Sequence, residues 1–409
     1  MSEMKLQMPS DAAFILNKLN EGGHEAYIVG GCVRDSILGR IPQDWDITTS
    51  ALPEETKTFF DHTFDTGIQH GTITVVLHKE NYEVTTYRVD GEYADCRHPD
   101  EVSFTKNLTE DLLRRDFTMN AIAYHPAEGF RDPFHGQEDI AASTIRGVGD
   151  PPKRFQEDAL RMLRCVRFAA QLGFEIETET WAALCANTAL IQKISVERIR
   201  EELEKLWLSP YQEKMPLLWE SGLLAQIDPV LSAKLIARSQ TLPAEISVCP
   251  KDALLRWCIV LQDYTPAEAK NFLKGMKFDN HTLKRVTLLL EQLKDDVPTE
   301  AYPLRKLAGT IGEDAMAELL TVQSILRPAS PHKESKALFE KILADGDCLT
   351  LKTMALSGKD LMAMGAPHGK VLGEILAELL DMVLQAPEKN TKETLTEKAL
   401  SLLQAKGLI

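Results

Sequence analysis

Basic residues are outnumbered in this 409-residue chain: 46 Lys and Arg stand against 61 Asp and Glu, a net charge of −15. A balance of that sign argues against a generically basic nucleic-acid binder. Cysteine is sparse as well, at seven residues, and no two of them form a CxxC pair. That argues against a zinc site or a disulfide framework, and a reducing cytoplasm is the expected compartment. No uncharged apolar run reaches the roughly 18 residues of a membrane span, so no membrane contact is expected. The opening MSEMKLQMPSD has neither the basic flank nor the apolar stretch of a signal peptide. Phosphate-loop, zinc-protease and serine-hydrolase motifs (GxxxxGKS/T, HExxH, GxSxG) are all missing. What is there, 44% hydrophobic and 26% charged residues, describes an intracellular globular chain long enough for two to four domains.

The charge is unevenly spread. Residues 1–150 carry 13 basic and 26 acidic side chains, whereas 151–329 and 330–409 are each within one charge of neutrality. The acidic third also holds the β-branched runs TITVVLH and EVTTYRV, and beyond residue 150 the pattern turns to amphipathic helices. Ser10 and Asp11 are placed to cap a helix bearing Phe14, Ile15, Leu16 and Leu19. EAYIVGG reads as a strand running into a glycine turn, VRDSILG as a short helix and WDITTS as a second strand. PEETKTFF follows as a helix with proline in its first turn. Strands around 71–78 and 82–89, a loop from 90 to 107 and a helix near 108–115 complete a mixed-sheet α+β domain. Candidate boundaries fall at Gly149–Pro152, near 209–216 and at Pro328–Lys333.

The most specific chemistry pairs GGCVRD (30–35) with DWDIT (44–48). On a strand, Asp44 and Asp46 point to one face with attachment points about 6.5–7 Å apart. Two unshielded carboxylates so held repel, and the usual remedies are protonation or a divalent cation. An oxygen-only donor set suits Mg²⁺, which keeps several waters and binds substrate phosphates. Gly30 and Gly31 let the backbone come close to a phosphate, and Arg34 sits on the turn that follows. A lone DxD is ordinarily a solvated strand end; the neighbouring GGxVRD makes it a metal site. Glu83, on an adjoining strand, is the candidate third carboxylate of the catalytic set.

A second feature is EDALRMLRCVRFAAQLGF (157–174), where Asp158, Arg161, Arg164 and Arg167 recur every three residues. On one helix each adjoins the next. Such a row is often a salt-bridged solvated face, but arginines gathered in an acidic protein suit planar recognition and phosphate. Asp158 beside Arg161 offers an acceptor next to donors. Cytosine and adenine present an exocyclic amine next to an acceptor. Uracil and guanine instead turn a carbonyl toward the carboxylate and leave polar groups unpaired. The pair is therefore expected to accept C and A and to reject U and G. Arg164 and Arg167 are then free for phosphates or for framing the base.

Four further motifs are the loop YRVDGEYADCRHPDEVSF, LLRRDFTMNA (112–121), DPFHG (132–136) and SVERIREELEKL (195–206). With these, the chain resembles the bacterial class II CCA-adding enzymes, tRNA nucleotidyltransferases related to bacterial poly(A) polymerases. The likeness is dense through the first 205 residues and returns in SGKDLMAMGAPHGKVLGEILAELLDMVL (357–384). It implies a seahorse-like chain with a nucleotidyltransferase head (1–150), a helical neck (151–208), a helical body (209–329) and a tRNA-binding tail (330–409). By the same resemblance, Asp44 and Asp46 are metal ligands, and Gly31, Arg34 and Arg115 are nucleotide contacts. Asp158, Arg161, Arg164 and Arg167 match the family's protein template for the incoming base. Asp116 and Asn120 have a supporting role, as does Gly30 in the glycine turn. Arg97 lies in a flexible loop that serves the switch to ATP.

The implied reaction is attack of the tRNA 3′-hydroxyl on the α-phosphate of CTP twice and of ATP once, with Mg²⁺ as cofactor. Other members of the family, a poly(A) polymerase or an enzyme adding only A or only CC, are the alternatives. The 90–107 loop and the lack of a long basic tail favour full CCA addition. A non-catalytic RNA-binding protein on this scaffold would be expected to lack the metal ligands. No protein partner is expected. With arginines concentrated in 157–167 and little basic surplus elsewhere, RNA binding should rest on shape more than on bulk charge. Affinity for tRNA should then fall only shallowly between about 50 and 200 mM salt; a steep log–log slope in filter binding would contradict this.

Overall fold

The β-branched runs of the first third pair into a mixed sheet. In the computed structural model, which describes residues 5–91 and 102–409, the first five strands are β1 (Ala26–Val29), β2 (Ile47–Thr49), β3 (Thr63–Gly67), β4 (Thr72–Leu77) and β5 (Glu80–Thr86). A separate ribbon joins β6 (Arg88–Asp90) to β7 (Val102–Phe104), and β8 (Ala123–His125) and β9 (Gly129–Arg131) return to the main sheet. Its order is β3-β4-β5-β2-β1-β8-β9. Only β2 and β5 run parallel, with Ile47 opposite Val84; the other neighbours are antiparallel. Ile15, Leu16 and Leu19 of helix α1 (Ser10–Glu21) are fully buried, as are Ile28, Ile47, Ile73 and Val75 of the sheet.

Three local expectations change. Helix α1 starts after Pro9, and neither Ser10 nor Asp11 caps it. The Asp11 carboxylate pairs instead with His78 at 3.0 Å, in a two-residue β4–β5 turn where His78 and Lys79 both have positive φ. Phe14 remains exposed, because only the face bearing Ile15, Leu16 and Leu19 meets the sheet. The 90–107 loop is partly paired, since the stem residues satisfy their backbone groups as the β6–β7 ribbon.

Around the sheet lie α2 (Gly31–Ile37), α3 (Pro53–Phe59), α4 (Leu108–Leu113) and α5 (Gly136–Ala141). Asn107 caps α4 by accepting the Thr109 N–H at 3.0 Å. Then come α6 (Pro151–Glu157), α7 (Leu160–Leu172), α8 (Thr178–Asn187) and α9 (Val196–Trp207). Ile199, Leu203 and Leu206 recur at helical spacing on α9 and are buried, giving it an apolar stripe that packs against α7.

The expected continuous helix 157–174 is broken. Asp158 adopts extended backbone (φ −136°, ψ 102°) between α6 and α7. Its carboxylate accepts the Leu160 N–H at 3.1 Å, the local side-chain bond by which aspartate competes with helix continuation.

The chain divides into two packed units, Met1–Pro243 and Ala244–Ile409. The second is helical throughout. Thr265 and Glu268 form a reciprocal capping box at the start of Pro266–Gly275. Ile375, Leu379, Val383, Leu395, Ala399 and Leu403 share one core, and Tyr302 donates to Asp381 at 2.6 Å. Gly309 lies inside the helix Ala301–Ile311, where alanine would ordinarily gain about 1 kcal/mol. Here a Cβ would collide with the backbone carbonyl of Leu349, so packing outweighs propensity. Gly309→Ala should cost about 1–3 kcal/mol in urea unfolding; a neutral or stabilising result would refute the close approach.

Candidate active site

The glycine turn after β1 sets the geometry. Gly30 has φ 82° and ψ −130°, a backbone that side-chain-bearing residues rarely adopt, and its N–H donates to the Ile122 carbonyl at 3.2 Å. A Cβ there would stand 3.1 Å from Arg115 Nη1, so the absent side chain also makes room for that guanidinium. Gly31 opens α2, which carries Arg34 back beneath the turn.

Asp44 and Asp46 precede β2 and are not part of it, a correction to the expected strand. The backbone still joins the ladder, since the Asp46 carbonyl accepts the Val29 N–H at 3.0 Å. Asp44 is exposed and Asp46 half-buried. The parallel register of β2 and β5 brings Glu83 alongside Asp46. Burial lifts the Asp46 carboxyl above its usual range, the nearby Glu83 and Asp44 charges add to this, and Arg115 opposes it. Such unrelieved repulsion among oxygen donors is what a divalent cation relieves. Among the described residues no three acidic, histidine or cysteine side chains form a metal cluster. Two carboxylates still fit Mg²⁺, which commonly takes one or two and completes its octahedron with water and substrate phosphate.

Asp44 and Asp46 share a cleft of about 690 Å³ with Gly31 and Arg34 on one side and Arg167 and Lys205 on the other. That volume lies within the range of small-molecule sites. Beneath it runs a chain of charge-assisted bonds. Arg34 pairs with Asp35 at 2.8 Å and donates through Nη1 to Asn120 Oδ1 at 2.6 Å. Asn120 Nδ2 donates to Asp116 at 3.0 Å, and Arg164 donates to Asp116 Oδ2 through Nε and Nη2 at 2.8 and 2.7 Å. Burial alone would raise the Asp116 carboxyl, but Arg164, Asn120 and Arg161 hold it well below the usual range. The guanidiniums of Arg34, Arg164 and Arg167 surround the Phe168 ring at 5.0, 5.3 and 3.7 Å.

Each of the four residues in the arginine row has partners outside the row. Asp158 is held by Arg198 of α9 (Nη1 at 3.3 Å, Nη2 at 2.8 Å). Arg161 pairs with Glu157 at 2.9 Å and donates to the Arg154 and Arg114 carbonyls. Arg164 and Arg167 are not free: the first binds Asp116 and the second binds Glu202 at 2.7 Å and Gln171 at 2.5 Å. A guanidinium that leaves water needs a counter-charge, and α9 and the segment after α4 supply it. Arg198 and Glu202 were overlooked as site residues. Their four-residue spacing on one face of SVERIREELEKL was the available signal. Arg97 lies outside the described residues.

Carboxylates at the mouth of β2, a glycine turn and an arginine-lined cleft define a nucleotidyltransferase head. Residues 26–146 match the family model described as the Poly A polymerase head domain. Residues 173–235 match a probable RNA- and SrmB-binding site of polymerase A, and 251–399 a putative tRNA nucleotidyltransferase domain 2. The chain is 39% identical over 387 residues to the CCA-adding enzyme of Geobacillus kaustophilus, with 93% of each covered. It is 37% identical to that of Enterococcus faecalis over 390 residues, with 94% of each covered. The crystal structure of the Bacillus stearothermophilus CCA-adding enzyme in complex with CTP superposes with a TM-score of 0.82 at 33% identity, covering 98% of this chain and 99% of that one. The Thermotoga maritima CCA-adding enzyme complexed with tRNA shares the fold, with a TM-score of 0.63 at 21% identity over 96% and 94% of the two chains. The chain belongs to the CCA-adding enzyme family.

Asp116→Ala would leave Arg164 and Asn120 without their acceptor, and should lower stability by about 2–3 kcal/mol, allowing for the partial exposure of Arg164. The folded-state pKa lies below the unfolded value of about 3.9, so the carboxylate's contribution is complete above about pH 5 and fades as pH falls through the folded value. Urea midpoints from pH 7 to 3 should drop on acidification for the wild type and drop less for Asp116→Asn. Parallel profiles would refute the assignment.

Proposed function

We propose that this protein completes tRNA 3′ ends, adding C, C and A from CTP and ATP without a nucleic-acid template. The observation that carries the reading is the pairing of Asp44 and Asp46 with a cleft of nucleotide size walled by arginine. Asp44 and Asp46 would hold Mg²⁺, which when bound favours ionisation of the 3′-hydroxyl and neutralises charge on the triphosphate. Gly30 and Gly31 let the triphosphate approach the backbone. Arg34, fixed by Asp35 and Asn120, points its charge into the same space, whereas Arg115, with Nη1 close to Gly30, lines a niche on the other side of Asp46.

Base selection falls to Asp158 and Arg161, and a count of bonds supports it. An ionised carboxylate has about four lone-pair sites, and Leu160 and Arg198 occupy three of those on Asp158. One remains for an exocyclic amine. Arg161 spends three bonds on Glu157 and two carbonyls, leaving two of its five N–H groups for ring acceptors. Acceptor beside donors is the complement of cytosine and of adenine, and a carbonyl in the amine's position would leave both partners unpaired. Arg198 therefore orients the template carboxylate while leaving it room to bind. Arg164 and Arg167, committed to Asp116 and Glu202, stiffen the wall and contribute charge.

The chain is partitioned, on this reading, into a head (1–150), a neck (151–208), a body (209–329) and a tRNA-binding tail (330–409). Cytoplasmic location belongs with a tRNA substrate. Incubating tRNA lacking its 3′ end with CTP alone, ATP alone and both should yield two C additions and then one A. Long A tracts would point instead to a poly(A) polymerase. Asp46→Ala should abolish incorporation, by about a thousandfold or more, with tRNA binding retained; residual activity near wild type would remove Asp46 from the metal site.

A further inference from the structure

Four cations line the cleft: Arg34, Arg40, Arg167 and Lys205. Asp35, Asp44 and Asp46 line it with them and Glu202 stands behind Arg167, so the cleft as a whole carries no excess of positive charge. What separates the four is how each is paired. Arg34 pairs with Asp35 at 2.8 Å, Arg167 with Glu202 at 2.7 Å and Lys205 with the same Glu202 at 3.3 Å. Arg40 has no carboxylate within ion-pair distance among the described residues. Its exposed side chain makes one hydrogen bond, from Nη1 to the Gln171 backbone carbonyl at 3.4 Å.

That carbonyl lies in the last turn of α7, where a helix leaves its final carbonyls without intrahelical donors and gathers partial negative charge. The Gly173 N–H covers the Ala169 carbonyl and the Tyr211 N–H covers that of Ala170; Arg40 covers the next one. The bond is long, its acceptor is neutral and its surroundings are open to solvent, so water can replace the guanidinium at little cost. A bond from the same guanidinium to a phosphate oxygen would be charge-assisted, shorter and roughly twice as strong. The backbone of Arg40 is held more firmly. Its N–H donates to the Asp35 carbonyl at 2.8 Å, just after Gly39, whose φ of 68° turns the chain away from α2. A flexible side chain thus stands on a fixed base, four residues ahead of Asp44 and facing the same cleft.

In the transfer, the bond between the 3′-oxygen and the α-phosphorus forms as the bond from that phosphorus to the bridging oxygen breaks. The electron pair leaves on the bridging oxygen, the hydroxyl proton passes to water, and negative charge builds on the departing pyrophosphate. We propose that Arg40 gives up the Gln171 carbonyl for the β- and γ-phosphates of the bound nucleotide and holds them as they leave as pyrophosphate. This rests on the nucleotidyltransferase reading above and adds a residue for the leaving group to it. The competing source of phosphate in the cleft is the RNA backbone, which has the same chemistry.

The test compares the full wild-type chain with Arg40→Gln, using tRNA lacking its 3′ end, CTP and ATP as substrates and pyrophosphate and CMP as inhibitors. The diphosphate is common to both nucleotides and absent from CMP. Arg40→Gln should therefore raise KM for CTP and for ATP alike, and the inhibition constant of pyrophosphate, each by about tenfold. The inhibition constant of CMP and KM for tRNA should stay within about twofold. Arg40→Lys, which keeps the charge, should recover part of the loss, whereas a merely structural role for Arg40 would weaken CMP and pyrophosphate together. Unchanged inhibition by pyrophosphate in both variants overturns the proposal. So does a rise in KM for tRNA without one for pyrophosphate, since that gives Arg40 to the RNA backbone. If the wild type adds neither C nor A to the tRNA, the function proposed above fails; if it adds both and the variants bind pyrophosphate normally, only the assignment of Arg40 fails.

Discussion

The Asp116 carboxylate accepts four hydrogen bonds, from the Phe117 backbone, from Asn120 and twice from Arg164. Through Asn120 it reaches Arg34 beneath the glycine turn, and through Arg164 it grips helix α7. A carboxylate buried this deeply is tolerable only while its partners remain, because unpaired burial of a charge costs several kcal/mol. The glycine turn and the helix that walls the cleft are therefore held by the same anion. Phe168, ringed by three guanidiniums, fills the space between them with a surface that like charges can share.

That arrangement explains how a protein of net charge −15 can present cations to a polyanion. Arg161, Arg164 and Arg167 pair with Glu157, Asp116 and Glu202, while Arg88, Arg114 and Arg115 share Asp90 and Asp111, so many of the acids that make the chain negative fix arginines in position. A pre-oriented guanidinium loses little freedom when a phosphate or base arrives. Net charge describes the whole surface. The cleft depends on which carboxylate stands beside which arginine.

Much of the chemistry was legible in the linear order. DxD beside GGxVRD, arginines at intervals of three and the strand–helix alternation of the first third are all short-range patterns, and the sheet and helices follow them. The errors were of another kind. Asp158 looked like one more rung of a helix, but its side chain prefers the Leu160 amide and interrupts it. Asp44 and Asp46 looked like strand residues, yet only the backbone of Asp46 reaches the ladder. Arg164 and Arg167 looked free because their partners lie 48 and 35 residues away.

The sequence by itself determined which groups are available: two acids two residues apart, a glycine pair, and a row of arginines on a helical period. Those are covalent spacings of a few residues, which local backbone geometry converts directly into position. Only the tertiary structure decided which group answers to which. The parallel pairing of β2 with β5 brought Glu83 to Asp46, α9 brought Arg198 to Asp158, and the ribbon root brought Arg88 to the far side of Asp46. Buried charge has to be matched by opposite charge wherever the fold can supply it, and the chain's linear order does not say where that will be.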